Sequence, residues 1–305
     1  MTETTAPQST RLAVLIPFGI VTLVWGSTWL VIRDQVSSVP PSWSVCYRFL
    51  VGGTGMVVLA LVRREKFALD ARGWGFAVLI ALSQFCLNFN FVYRAEEHIT
   101  SGIVAVVFAL MLVPNALFAR IFLGQRMGAQ LLIGSGVAMA GIALLFLHEV
   151  RLSQRGPGEA VLGIALTGIA ILCASSSNVL QATKTAKLYP MVPTLAAAML
   201  LGATIDGILA FVLNGPPVIE WRPAYLGGIV YLGLIGSTLT FPLYFGVVRA
   251  IGPAKAAYSG VIVPVIAMLL STLFEGYRWT GLAVAGAALA GAGLVIALRA
   301  RRPNR

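Results

Sequence analysis

Long apolar runs broken by short polar connections repeat along the whole chain. Ten stretches stand out: 12–32, 42–62, 73–93, 101–121, 130–147, 160–183, 194–213, 225–248, 256–274 and 279–298. A helix needs about 20 apolar residues to cross the hydrocarbon core. The runs are continuous and do not alternate in ten-residue segments, so they predict helices and not a barrel. The first run, Leu12 to Ile32, exceeds the roughly 7–15 residues of a signal-peptide core, and no small-x-small cleavage site closely follows it. It reads as a retained first span. The pattern predicts an all-α membrane protein with ten transmembrane helices.

Composition agrees. Of the 305 residues, 58% are hydrophobic and 11% charged, with a mean hydropathy of +0.87. A soluble domain carries about 25% charged residues, so lipid must be the solvent for most of this chain. The formal net charge of +11 would suggest nucleic acid in a soluble protein; here the basic residues fall between the apolar runs and report topology. With the N-terminus inside, 15 Lys and Arg fall in the inner segments and 6 in the outer loops, with Arg48 inside a span. This places both termini in the cytoplasm. Cys46, Cys86 and Cys173 all lie within apolar runs and read as small buried hydrophobes, not as a disulfide or metal set.

The two halves resemble each other. Pro114 is separated from Gln125 by ten residues, as Pro264 is from Glu275. Thr100-Ser101-Gly102 opens the first of these runs and Ser259-Gly260 lies early in the second. Arg94-Ala95 and Arg249-Ala250 end the preceding spans. Gly134, Ala138 and Gly141 recur as Gly286, Ala290 and Gly293, at an offset of 152 each time. Small residues at this spacing form one narrow stripe that lets helix backbones approach closely. Five spans per copy is an odd number, so the second copy enters from the opposite side. The expected organisation is a first five-helix repeat at 12–147, a linker at 148–159 and a second repeat at 160–298, flanked by cytoplasmic tails at 1–11 and 299–305. Such inverted repeats place a solute site near the midplane where the halves meet.

With these residues in view, the chain resembles the EamA-type branch of the drug/metabolite transporter superfamily. The resemblance rests on Trp25-Gly26-Ser27, Arg48-Phe49, Thr100-Ser101-Gly102 and Leu123-Gly124-Gln125-Arg126. In the second half it rests on Arg249-Ala250-Ile251-Gly252-Pro253, Pro264 and Phe274-Glu275-Gly276. It implies a cavity bordered by spans 1, 3, 4, 6, 8 and 9, and a likeness to exporters of aromatic and other hydrophobic amino acids. One departure is Gln125, where the family pattern usually carries glutamate; this weakens any mechanism that needs paired acids.

Polar residues at membrane depth are costly and ask for a reason. Candidate substrate-binding residues are Trp25, Ser27 and Thr28 in span one; Ser83, Gln84 and Asn88 in span three; Ser175, Ser176 and Asn178 in span six; Ser237, Thr240 and Tyr244 in span eight; and Tyr258. Gln84, Asn88 and Phe91 fall on one helical face, as do Ser237, Thr240 and Tyr244. The competing reading of each hydroxyl is an interhelical hydrogen bond. Trp29, Phe85, Phe89 and Phe241 could stack on an apolar solute or pack as core. Trp43, Trp74, Trp221 and Trp279 read as interfacial anchors. Arg48 is expected to snorkel outward or hold backbone carbonyls, and Asp206 to make a helix–helix hydrogen bond. Gly102 with Pro114, and Gly260 with Pro264, are candidate gating positions, since each proline removes a backbone hydrogen bond in mid-span.

Charge narrows the solute. The first span holds no acid, and Lys184, Arg249 and Lys255 lie only at span ends. A neutral or zwitterionic, partly apolar solute fits better than a strong cation or a phosphate ester. The reading is therefore a multi-pass exporter in the bacterial inner membrane, working by alternating access on amino acids or similar metabolites. It is expected to act as a monomer among lipids, with no nucleic-acid or nucleotide partner, no cofactor and no metal. Nucleoside-like or sugar-like solutes, or a channel-like facilitator, are the alternatives. His98 and His148 lie near span ends, which argues against an intramembrane enzyme.

Overall fold

The computed structural model describes residues 8–125, 128–152, 157–256 and 259–298, and these contain helices and no strand. In chain order they are α1 (Gln8–Val36), α2 (Pro41–Val62), α3 (Ala71–His98), α4 (Ser101–Leu123), α5 (Ala129–Leu152), α6 (Pro157–Gln181), α7 (Met191–Asn214), α8 (Pro223–Ile251), α9 (Ser259–Phe274) and α10 (Gly281–Leu298). Two short helices, Lys184–Leu188 and Pro253–Ala256, precede α7 and α9. Among the described residues, seven helices are long and apolar enough to cross a membrane. Three shorter apolar helices, Leu132–Leu145, Ile262–Phe274 and Gly281–Ala297, lie within α5, α9 and α10. Large apolar side chains such as Leu61, Phe122, Phe211, Val265 and Phe274 stay mostly exposed, as a lipid-facing surface requires. α5 and α6 run further into segment 148–159 than a loop linker would; residues 153–156 of it lie outside the described residues, as do 1–7 and 299–305.

Helix ends follow local chemistry. Pro41 and Pro223 open α2 and α8, where a missing N–H costs nothing. Asp70 caps α3 by accepting from the Gly73 N–H at 2.8 Å. Gly124 closes α4 with φ of 65°, the left-handed conformation a side chain resists.

The small-residue stripes meet. A Cβ added to Gly134 would lie 2.2 Å from the Ala297 nitrogen, and one on Gly141 would lie 2.2 Å from that of Ala290. One on Gly293 would lie 2.2 Å from the Ala138 nitrogen, and one on Gly286 would lie 3.0 Å from that of Leu145. As numbers rise on α5, their partners fall on α10, so the helices are antiparallel. The offset of 152 turns each contact into another: Gly134 with Ala297 becomes Gly286 with Leu145, and Gly141 with Ala290 becomes Gly293 with Ala138. Equivalent helices of the two halves thus pack about a two-fold axis, running in opposite senses.

The same symmetry appears in α3 and α8. Each contains a stretch of wide π-type turns, Ala81–Asn88 and Tyr231–Leu239. Gly52 of α2 packs on the second of these, its Cβ position 3.1 Å from the Gly233 carbonyl oxygen; Gly202 of α7 packs on the first, 2.8 Å from Phe85 Cβ. Such turns insert an extra residue into a helix and recur at functional positions.

The loops confirm the opposed directions. Asp70, before α3, accepts from the Tyr189 hydroxyl at 2.6 Å, and Arg72 donates to Thr185 at 3.0 Å, so the α2–α3 and α6–α7 connections share one face. Arg222, before α8, donates twice to Asp34 at 2.9 and 3.0 Å, which puts the α7–α8 connection with the α1–α2 connection. The hydrogen bond from Tyr189, and then that from the Gly73 N–H, hold the Asp70 carboxyl below its usual range. Asp70 therefore stays ionised through neutral pH, and its contribution is lost only as acid reaches that lowered value.

Changing Gly141 or Gly293 to alanine should destabilise the protein by about 1–3 kcal/mol each, because the new methyl must displace backbone. Gly136→Ala, on the same helix with nothing within 4 Å, should leave the thermal midpoint in detergent unchanged or slightly raised.

Candidate functional site

The central cavity lies where the halves meet and has a volume of ≈ 80 Å³. Trp25, Thr28, Trp29 and Ile32 line it from α1, Gln84, Asn88, Phe89 and Val92 from α3, and Phe108 and Met111 from α4. Asn178 lines it from α6, Phe241 and Tyr244 from α8, and Val263 and Pro264 from α9. The six helices that the family resemblance implied all contribute. α2 adds a seventh wall through Arg48 alone.

Of the sequence candidates, Trp25, Thr28, Gln84, Asn88, Asn178, Tyr244 and Pro264 therefore come together. Ser237 and Thr240 lie behind the wall and hold two of its residues. Arg48 Nε donates to Ser237 Oγ at 3.2 Å, and Trp25 Nε1 donates to Thr240 Oγ1 at 2.9 Å. Ser237 in turn donates to the Leu232 carbonyl five residues back, at 2.8 Å, a bond the π-type turns make available. Ser27 pairs with the Tyr231 hydroxyl at 2.6 Å, joining α1 to α8 outside the cavity. Ser83 and Ser176 each donate to a carbonyl four residues back on their own helix, Leu79 and Leu172. Ser175 is buried but is not part of the lining. Tyr258 falls outside the described residues. Gly102 packs on α9, with its Cβ position 3.0 Å from Ser271 Cβ. Pro114 follows a 3-10 turn at Ala109–Met111, whereas Pro264 sits inside a continuous α9.

The aromatic wall is continuous. Trp25 packs on Phe241 at 5.5 Å and Tyr244 at 4.8 Å between ring centroids. Phe241 meets Phe85 edge-on at 5.1 Å, and Phe85 leans on Phe49 at 5.0 Å. Phe91, expected on the face of Gln84 and Asn88, is not part of the lining; Phe89 and Val92 stand there. The extra residue in the π-type stretch shifts the phase that a regular 3.6-residue helix would give.

Arg48 departs most from expectation. It does not snorkel: it is 1% exposed, and its guanidinium sits 4.3 Å from the Phe89 ring centroid. A pocket that looked nearly uncharged from the sequence thus contains a full positive charge. The signal was present, since Arg48 was the one cation counted inside a span. Sequence reasoning missed Glu96 altogether. It is fully buried, with neither carboxylate oxygen hydrogen-bonded, and it continues the spacing of four from Gln84, Asn88 and Val92. Asp206 accepts from Asn90 at 2.8 Å, a helix–helix bond between α7 and α3. Trp43 is buried beside Tyr47, whereas Trp74, Trp221 and Trp279 are exposed as interfacial anchors would be.

Beyond the cavity on one side, Glu275 at the end of α9 clasps the start of α4. It accepts from the Ser101 N–H at 3.2 Å, from the Ser101 hydroxyl, and from Ser271 at 2.8 Å. On the other side, Gln125 Nε2 approaches Gly252, before α9, at 3.8 Å from the Cβ position, while Arg249 donates to Gln181 at 2.8 Å.

A bundle of apolar helices in two antiparallel halves, closed around an aromatic, amide-bearing cavity, defines a multi-pass membrane transporter and not an enzyme. The chain belongs to the EamA-like transporter family, which matches it twice, at residues 14–147 and 161–299. Protein PagO of Salmonella typhimurium is 23% identical over 88% of this chain and 86% of its own length. The "Uncharacterized inner membrane transporter YedA" of Escherichia coli K12 is 29% identical over 83% and 80%. The "Uncharacterized transporter YoaV" of Bacillus subtilis is 21% identical over 83% and 85%. One solved crystal structure shares the fold with a TM-score of 0.68 at 19% identity, covering 94% of this chain and 96% of that one.

Trp25→Ala should cost about 2–3 kcal/mol of stability, because it removes a half-buried ring from the α1–α8 contact. Trp25→Phe, which loses the hydrogen bond but keeps a ring, should cost only about 1 kcal/mol. Thermal unfolding in detergent, followed by tryptophan-independent far-UV circular dichroism, checks both.

Proposed function

We propose that this protein exports small, partly apolar metabolites, amino acids including aromatic ones, by alternating access across the bacterial inner membrane. The observation that carries the reading is the cavity itself, aromatic on its walls, dotted with amides and the cation of Arg48, and set at the junction of two opposed repeats. Aromatic rings take up an apolar side chain, and a few polar groups fix the other end. The name of the YedA relative supports the inner-membrane location, and the excess of Lys and Arg in the inner segments supports ten spans with both termini in the cytoplasm.

Gating falls to α4 and α9. These helices line the cavity, touch each other through Gly102, Met268 and Ser271, and carry the two prolines. A helix with a missing backbone hydrogen bond bends at lower cost. Hinged at Pro114 and Pro264, the helices would open the Glu275 clasp on one side and the Gln125 side in alternation.

Purified protein in liposomes should show saturable, trans-stimulated flux of labelled phenylalanine or tryptophan. Flux of no amino acid, or flux that fails to saturate, would contradict the proposal. Pro114→Ala and Pro264→Ala should each slow that flux roughly five- to tenfold, since each restores a hydrogen bond the hinge lacks. Unchanged rates in both variants would remove the gating role.

A further inference from the structure

Among the described residues, Arg48 is the only charged one lining the central cavity. Its Nε is committed to Ser237, one guanidinium face lies against Phe89, and its Nη1 has no hydrogen-bond partner. Among the described residues it forms no ion pair within 4.0 Å. The buried acid Glu96 makes no ion pair with it. A buried guanidinium without a counter-ion is costly at membrane depth, where such residues mark solute pathways.

Other polar atoms facing the same space are also unused. Asn88 Oδ1 and Asn178 Oδ1 are buried acceptors without a donor, and Trp29 Nε1 is a buried donor without an acceptor. With the Tyr244 hydroxyl, these leave one guanidinium nitrogen, the Trp29 N–H, one phenol and two amide oxygens unpaired among rings. A buried cationic N–H without a partner favours a carboxylate, which accepts a charge-assisted hydrogen bond from it. A phosphate ester, close to a dianion, would need a second cation, and the described residues of the lining supply none. A bare amine would be repelled by Arg48.

We infer that Arg48 anchors the carboxylate of the transported solute, and that Asn88 and Asn178 accept hydrogen bonds from its ammonium group, which makes α-amino monocarboxylates the substrate class. This rests on the cavity being the solute site proposed above. The anchor is one-sided: α2 reaches the cavity only through Arg48, and α7, its counterpart in the second repeat, sends no residue into the lining. The solute is then held in one orientation, its carboxylate towards the first repeat.

The test is competition in proteoliposomes reconstituted with the full chain. Counterflow of labelled phenylalanine is challenged with unlabelled phenylalanine, with phenylalaninamide, which lacks the carboxylate, and with 3-phenylpropionate, which lacks the amine. The wild type should prefer phenylalanine to its amide by at least about tenfold, the worth of one charged hydrogen bond. Arg48→Gln should bring the two within about twofold, and Arg48→Lys should keep part of the preference. Equal competition by acid and amide in the wild type overturns the inference, and this comparison needs no variant to fold. Undiminished discrimination in Arg48→Gln overturns it as well.

If phenylalanine is not transported, labelled 3-phenylpropionate and benzoate are compared with uncharged nucleosides and sugars. Transport of the carboxylates alone would sink the amino-acid reading while keeping the Arg48 anchor. Transport of neutral solutes alone would sink the anchor. If nothing is transported, and no carboxylate raises the thermal midpoint of the purified protein, the anchor is likewise overturned.

Discussion

In lipid, helices gain nothing by hiding apolar surface from one another, because the tails around them are just as apolar. What joins the halves must be close packing, and α5 and α10 provide it. Gly134 and Gly141 of one helix, and Gly286 and Gly293 of the other, let the backbones approach so closely that even a methyl group would collide. The contact is reciprocal under the repeat, so one kind of interaction, used four times, fixes the antiparallel relation of the two halves. The cavity depends on that relation. Helices 1, 3, 4, 6, 8 and 9 converge because their scaffold partners lock back-to-back outside them.

The polar groups divide into two sets by what they have found. Some are satisfied: Ser237 and Thr240 by the backbone of α8, one oxygen of Asp206 by Asn90, Glu275 by Ser101 and Ser271. These bonds tie helices and shape the wall. Among the described residues, Arg48, Trp29, Asn88, Asn178 and Tyr244 line the cavity with a polar atom left unpaired, and Arg48 is the charged one. Buried polar groups in folded proteins are almost always paired, and the proposed solute would complete the set of those that line the cavity. The wide turns in α3 and α8 serve the same end: Ser237 reaches back to Leu232, leaving its oxygen turned towards Arg48.

Much of this was legible in the sequence because the constraints are periodic. The helices follow from runs of about 20 apolar residues, and the small-residue stripes follow from spacings of four and three. What could not be read was phase and direction. Nothing in Ala81–Asn88 announces a π-type stretch, so Phe91 was placed on a face that Val92 and Phe89 occupy. Single hydroxyls were ambiguous by nature: Ser83 and Ser176 satisfy themselves on their own helices, while Ser237 and Thr240 hold the residues that line the cavity. Arg48 was visible, but whether a lone cation turns out to the interface or in to a pocket is decided by Ser237 and Phe89, nearly 190 and 40 residues away in sequence.

Site-directed labelling shows whether the two halves run in opposite senses. With Cys46, Cys86 and Cys173 replaced by alanine, single cysteines are placed at Lys66, in the α2–α3 connection, and at Pro217, in the equivalent α7–α8 connection. Intact cells are then treated with a membrane-impermeant maleimide. The account predicts that the cysteine at 217 is labelled from outside and that the one at 66 reacts only after the membrane is opened. Labelling of both from the same side would contradict it.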